Sequence, residues 1–286
     1  MTEEALYRGM SRAELEREYS PSTCIGGDIA PFVGRYMSES AEARRTCRVL
    51  EDISYGPRDT QVLDLFLPDD AGAAPVHLFI HGGYWQELSH KDAAAMAPAL
   101  GSHGIAFAAV NYTLAPEATI AEMTEECRRA VAWIARHGVD HGLDGSRITA
   151  SGHSAGAQLL AMLLAADWPE TAGICPVSEA LLISGIYDLE PIRHTYINDP
   201  LGLDAGAARA MSPLHAGPVP ACPIRIVVGE IETPEFHRQS RAYAELLRAQ
   251  GAEVSDRVLD GLNHFDIVLS ERTFEEVARM AAGGPG

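Results

Sequence analysis

From residue 76 onward the chain alternates short apolar runs with longer stretches in which apolar residues recur every three or four positions. Residues 76–80, 105–110, 180–184 and 224–228 are apolar on both faces, the pattern of strands buried within a sheet. Residues 148–150 form a shorter strand-like run, and 253–259 read as a last strand. Between these runs, residues 89–103, 120–137 and 235–250 are spaced as helices, and 265–280 as a closing helix. Upstream, residues 49–55 and 61–67 flank Gly56-Pro57-Arg58-Asp59 and predict an antiparallel pair, closed by a turn at 68–72. Strands alternating with helices predict an α/β fold: a mostly parallel sheet with an antiparallel edge and helices on both faces. Residues 1–45 are polar and helix-leaning, with a capping box at Ser11 and Glu14. They hold too few apolar residues for a core and are expected to pack across the body as an arm. Residues 188–220, rich in Pro, His and Asp, are expected to form a small cap insertion. With no internal repeat and no long linker, residues 1–286 read as one domain.

In such a sheet, chemistry belongs on the loops at the carboxyl ends of the strands. Gly152-His153-Ser154-Ala155-Gly156 follows one strand and opens a helix, and it fits the G-x-S-x-G elbow of α/β-hydrolases. There a serine sits on a sharp turn, and glycines two residues to either side let strand and helix pass closely. The Ala155 amide lies at a helix N-terminus, where it can face an oxyanion. His81-Gly82-Gly83-Tyr84-Trp85 follows the strand at 76–80, and the Gly82 and Gly83 amides suit the other side of an oxyanion hole. His264 is the candidate base, because it comes last in the chain order serine, acid, histidine. His153 is expected to point away from the base position, and His81 to brace its loop. For the acid, Glu230 and Glu232 both follow the strand at 224–228; Glu232 is favoured because it stands further beyond the strand end. A Ser154–His264–Glu232 triad predicts an acyl-enzyme hydrolase that needs no metal or other cofactor.

Composition narrows the partners. The formal charge of −18 repels phosphate backbones and anionic bilayers, so neither nucleic acid nor membrane is expected. Five scattered cysteines without CxxC spacing fit neither a disulfide framework nor a zinc site. The acidic Met1-Thr2-Glu3-Glu4 start lacks the marks of a signal peptide, so a cytoplasmic protein is expected. A homodimer is left open.

The chain resembles the kynurenine formamidase (arylformamidase) family nearly end to end. The likeness is carried by Glu16-Arg17-Glu18-Tyr19-Ser20-Pro21-Ser22, His81-Gly82-Gly83-Tyr84-Trp85-Gln86 and Gly152-His153-Ser154-Ala155-Gly156-Ala157. It continues through Ser184-Gly185-Ile186-Tyr187-Asp188-Leu189-Glu190-Pro191, Asn198-Asp199-Pro200-Leu201, Thr233-Pro234-Glu235-Phe236-His237-Arg238-Gln239-Ser240 and His264-Phe265-Asp266-Ile267. The resemblance implies an α/β-hydrolase fold, the same triad, and hydrolysis of N-formyl-L-kynurenine to L-kynurenine and formate. It also implies aromatic walls for an aryl ketone, for which Tyr84, Trp85 and Tyr187 are candidates unless they serve as core packing. Two positions depart from the family: glutamate stands at 232 where aspartate is usual, and Asn263 where an acid is expected. A carboxylesterase or aryl-amide hydrolase of another pathway is the alternative, and a non-catalytic binding module on the same scaffold a further one.

Overall fold

In the computed structural model, which describes residues 5–69 and 72–283, one sheet organises the chain. Its strands are β1 (Arg48–Ser54), β2 (Val62–Leu67), β3 (Ala74–Ile80), β4 (Ala106–Val110), β5 (Leu143–His153), β6 (Val177–Ile183), β7 (Ile224–Ile231) and β8 (Val254–Asn263). They lie in the order β1-β2-β4-β3-β5-β6-β7-β8. β1–β2 and β2–β4 pair antiparallel, and every pair from β4 to β8 is parallel. The helices are α1 (Arg12–Glu18), α2 (Ala30–Thr46), α3 (Ala97–Ser102), α4 (Ile120–His137), α5 (Ala155–Leu164), α6 (Asn198–Leu201), α7 (Ala205–Ala210), α8 (Pro234–Ala249) and α9 (Glu271–Ala281).

Alternation along the strands splits the core in two. Val76, Leu78 and Ile80 of β3 face the layer of α4, α5 and α8, while Phe79 faces α2, α3 and α9. α4 spans the range read from its periodicity because both ends are marked. Thr119 and Glu122 close a capping box at its start, and Arg136 and His137 lie at its end.

Two expected helices differ. Residues 89–103 break into a 3-10 turn at His90–Asp92 and the short α3, because Ser89 and Asp92 cap each other and Pro98 sets a new helix start. Residues 265–280 become a loop, a 3-10 turn and then α9, whose N-cap is Ser270. There the Asn263 and Asp266 side chains take up the backbone amides of residues 263, 265 and 266 before a helix can form. The expected turn at 68–72 and the acidic start at 1–4 fall partly or wholly outside the described residues. Among the described residues no helix is long and apolar enough to cross a membrane.

The pairing sets what meets at the carboxyl edge. Ile80 lies opposite Gly152, and His153 opposite Ile183, so β3, β5 and β6 end at one level. The loops carrying Gly82, Ser154, Ser184, Glu232 and His264 all leave from that edge.

Candidate active site

Ser154 joins β5 to α5 at φ +55° and ψ −117°, a conformation that side-chain-bearing residues rarely adopt. The neighbouring glycines make that turn possible. A Cβ on Gly152 would lie 2.3 Å from the Gly156 carbonyl oxygen, and one on Gly156 would lie 2.1 Å from that of Ile80. The Ser154 N–H donates to the Ile183 carbonyl at 2.8 Å, which fixes the elbow against β6.

Gly82 runs beside the serine, Gly83 lines the same cavity, and Ala155 follows the serine directly. Ala155 is the first residue of α5 and has no acceptor within its helix. Gly82 runs so close that a Cβ there would lie 3.2 Å from Ser154 Cβ. Gly83 sits at φ +100°, where a Cβ would lie 2.2 Å from the Glu87 carbonyl oxygen. Among the described residues, the Gly82 and Gly83 amides donate to no protein acceptor. His81 braces this loop: its Nδ1 bonds the Gly82 carbonyl at 2.8 Å, and its ring stacks on Tyr112 at 4.4 Å. Burial pushes its pKa down to about 4, so it is neutral at pH 7.

The candidate acid and base pair across two loops. His264 Nδ1 lies 2.7 Å from Glu232 Oε2, and the carboxylate is fully buried. The other oxygen, Oε1, accepts the Ser184 hydroxyl at 2.5 Å and the Gly229 amide at 2.7 Å. Three donors offset the cost of burying that charge. An Nδ1–H held on the carboxylate leaves Nε2 as the basic nitrogen. Glu230 instead points outward and accepts the Gly261 amide at 2.7 Å.

His264 and Ser154 line one cavity of about 260 Å³. Among the described residues Ser154 Oγ makes no hydrogen bond to the ring; in unliganded hydrolases this contact is commonly long and tightens around substrate. The remaining wall is largely apolar: Ile29, Val33, Leu88, Ile197 and Phe265, with Tyr36, Tyr84 and Tyr196. Among the described residues no lysine or arginine lines it.

Three expectations need correction. Trp85 and Tyr187 do not line the cavity, and both are fully buried in the core. Trp85 Nε1 donates to Gln158 at 3.0 Å, and the Tyr187 ring stacks on Tyr243 at 4.5 Å, so both rings are packed inside. Tyr84 does reach the wall, with its hydroxyl turned onto the Tyr19 carbonyl. His153 does not point away. It lines the cavity 4.7 Å from the His264 ring, with Nε2 on the His264 carbonyl at 2.8 Å. Burial and the adjacent His264 hold its pKa well below the ordinary value.

Other residues carried no reading of their own in the sequence. Ile29, Val33 and Tyr36 come from the N-terminal arm, spaced so that one face of α2 and its start looks into the cavity. The Tyr36 hydroxyl ties that face to the Phe265 carbonyl at 2.6 Å. Ser20 meets Tyr196 at 3.0 Å, joining the arm to the 188–220 segment over the cavity. Asp52, Asp64 and His90 also come together, outside the cavity lining. Their carboxylates already hold side-chain cations: Lys91 Nζ is 2.9 Å from Asp64 and 3.0 Å from Asp52, and Arg44 is 2.8 Å from Asp64.

Sequence comparison places the chain among known hydrolases. Residues 63–170 fit the BD-FAE family model. The chain is 34% identical to kynurenine formamidase of Danio rerio over 274 residues, covering 92% of both chains. The chain belongs to the kynurenine formamidase family. A second member, from Salmo salar, is 32% identical with the same 92% coverage of each chain. Among solved structures, a Silicibacter sp. tm1040 protein superposes with a TM-score of 0.79 at 29% identity, covering 93% of this chain and 95% of that one. The Pyrobaculum calidifontis esterase superposes at 0.71 and 21% identity, covering 95% and 96%, and supports the α/β-hydrolase fold alone. Family membership makes the protein a hydrolase, and the carboxyl edge of its sheet is where such enzymes keep their chemistry.

Proposed function

We propose that the protein hydrolyses aryl formamides, with N-formyl-L-kynurenine as substrate, through a Ser154–His264–Glu232 triad. Ser154 Oγ attacks the formyl carbon and His264 Nε2 takes its proton. The Gly82, Gly83 and Ala155 amides receive the oxyanion, and Glu232 stabilises the imidazolium that forms. As the C–N bond breaks, His264 returns the proton to the aniline nitrogen and the arylamine leaves. Water, deprotonated by the same imidazole, then attacks the formyl-enzyme and releases formate.

The observation that carries this reading is the cavity around Ser154, about 260 Å³ and largely apolar. A formyl group carries only hydrogen on its carbonyl carbon, so the enclosed volume serves the leaving group. Apolar and tyrosine walls suit an aromatic ketone. An aniline conjugated to an ortho ketone leaves more readily than an alkyl amine, so a serine triad suffices. The arm and the 188–220 segment act together as the cap, and five free thiols fit a reducing, cytoplasmic location.

The test is turnover of N-formylkynurenine against short p-nitrophenyl esters, compared as kcat/KM, with Ser154→Ala as control. Preference for the formamide, lost in the variant, is expected. Preference for the esters would favour a general carboxylesterase instead.

A further inference from the structure

We propose that Ser184 is a positioning residue for the triad acid, and that the Ile183–Ser184 pair at the end of β6 sets the spacing between nucleophile and acid. This inference rests on the triad assigned above and deepens it.

Two adjacent residues hold two distant parts of the site. The Ile183 carbonyl accepts the Ser154 amide at 2.8 Å, and the next residue donates its hydroxyl to Glu232 Oε1 at 2.5 Å. Ser184 is itself held, its amide donating to the Val227 carbonyl at 2.8 Å. β6 lies between β5, which delivers the serine, and β7, which delivers the acid. The dipeptide therefore works as a spacer between them.

The backbone gives independent support. Ser184 is fully buried and sits at φ +50°. A non-glycine residue in that region is strained and persists only where something holds it there. Gly185 follows directly, so a glycine is available one residue later without relieving the strain. What serine adds at position 184 is a hydroxyl on a carboxylate, a charge-assisted bond at the short end of its range. The identity of the acid makes that anchor matter. Glutamate has one more rotatable bond than aspartate, so its far oxygen must be pinned for the near one to stay on His264. Gly229 supplies one pin and Ser184 the other.

The catalytic pH profile reads this role directly. Losing the hydroxyl lets the carboxylate swing off Nδ1, so the protonated ring loses its counter-charge and the base becomes free at a lower pH. The acid limb of kcat/KM then moves downward. The ionisable groups around the pair are His153 from β5, Asp266 in the histidine's own loop, Cys24 and Tyr36 from the arm, and Tyr84 and Tyr187. Burial holds His153 neutral and raises Asp266, the tyrosines and the thiol.

The experiment measures kcat, KM and the pH profile on N-formylkynurenine for Ser184→Ala and Ser184→Gly. The glycine variant removes the hydroxyl and also frees the backbone, so it remains informative should the alanine variant not fold. Both are expected to lose roughly ten- to a hundredfold in kcat, with KM within about threefold and the acid limb displaced downward. An acid limb that is unmoved or displaced upward, or a glycine variant with kcat within about twofold of the parent, overturns the proposal. Ser154→Ala separates the two levels. If it turns over like the parent, the triad falls and Ser184 with it; if it is inactive while the limb stays put, only the role of Ser184 falls.

Discussion

Replacing Glu232 by glutamine tests the wiring of the site with almost no change in shape. The two ends of the side chain meet different partners. Oε1 faces two donors, Ser184 Oγ–H and Gly229 N–H, while Oε2 faces His264 Nδ1. A carboxamide must choose which end takes its oxygen. Turning its NH2 toward Gly229 sets donor against donor in a buried site, at a cost of about 1–3 kcal/mol, or roughly five- to a hundredfold. The oxygen therefore stays on Ser184 and Gly229, and the NH2 is forced onto His264. Nδ1 must then accept rather than donate, which moves the ring proton to Nε2, the nitrogen that should take the proton of Ser154. The base is blocked by its own hydrogen, and the stabilising charge is gone as well. Losses of about 10⁴ in kcat are typical of a wrong-tautomer triad, equivalent to roughly 5 kcal/mol of transition-state stabilisation. The assay is kcat/KM on N-formylkynurenine beside a thermal melt, which is expected to remain within a few degrees of the parent. A folded Glu232→Gln enzyme retaining more than a tenth of its activity would refute this account.

Glu230→Gln should change kcat/KM by less than about twofold, because its carboxylate only caps the Gly261 amide at the surface; a loss of orders of magnitude would reassign the acid. Gly156→Ala places a Cβ against the backbone oxygens of Ile80 and His81, at 2.1 and 2.5 Å, so a loss of about 3 kcal/mol or more is expected in denaturant titration; an unchanged midpoint would contradict the packing. His77, buried between Thr149 and Ser151, is held neutral with its pKa pushed down to about 3. Its folded value lies below its unfolded one, so its contribution is complete above about pH 6.5 and falls as the pH drops toward 3. Between pH 7.5 and 5.5 this costs about 1.4 kcal/mol, and His77→Gln should flatten the pH slope of stability by that amount. An identical slope in the two proteins would rule the explanation out.

The sheet was readable from the chain because its inner strands are largely apolar on both faces, and α4 because capping residues mark it. The reading weakened wherever a side chain, rather than a period, decided the backbone. Ser89 with Asp92, and Asn263 with Asp266, each satisfy local amides and interrupt helices that the apolar spacing alone predicts. Within the site, Ser154, His264 and Glu232 could be nominated because each follows a strand in a known order. Ser184 could not, since its role depends on a partner 48 residues away. Trp85 and Tyr187 could not be told from wall residues because an aromatic ring on a site loop serves either purpose, and only the Gln158 and Tyr243 contacts decide. His153 was misjudged for a related reason: its direction depends on the His264 carbonyl, which comes from the far end of the chain.

The bond from Tyr36 to the Phe265 carbonyl fastens one of the earliest segments made to one of the latest, 229 residues apart. A ribosome releases the ceiling of this chamber long before its floor exists. Ser40 and Arg44 of α2 can already meet Ala94 and Asp64, but Tyr36 has no acceptor until the last strand is finished, and a polypeptide stopped short of that loop would leave the Tyr36 end of α2 open to water. Assembly of the reaction chamber is in this sense a proofreading of length: only a chain that has reached its final loop can close the door behind its own beginning.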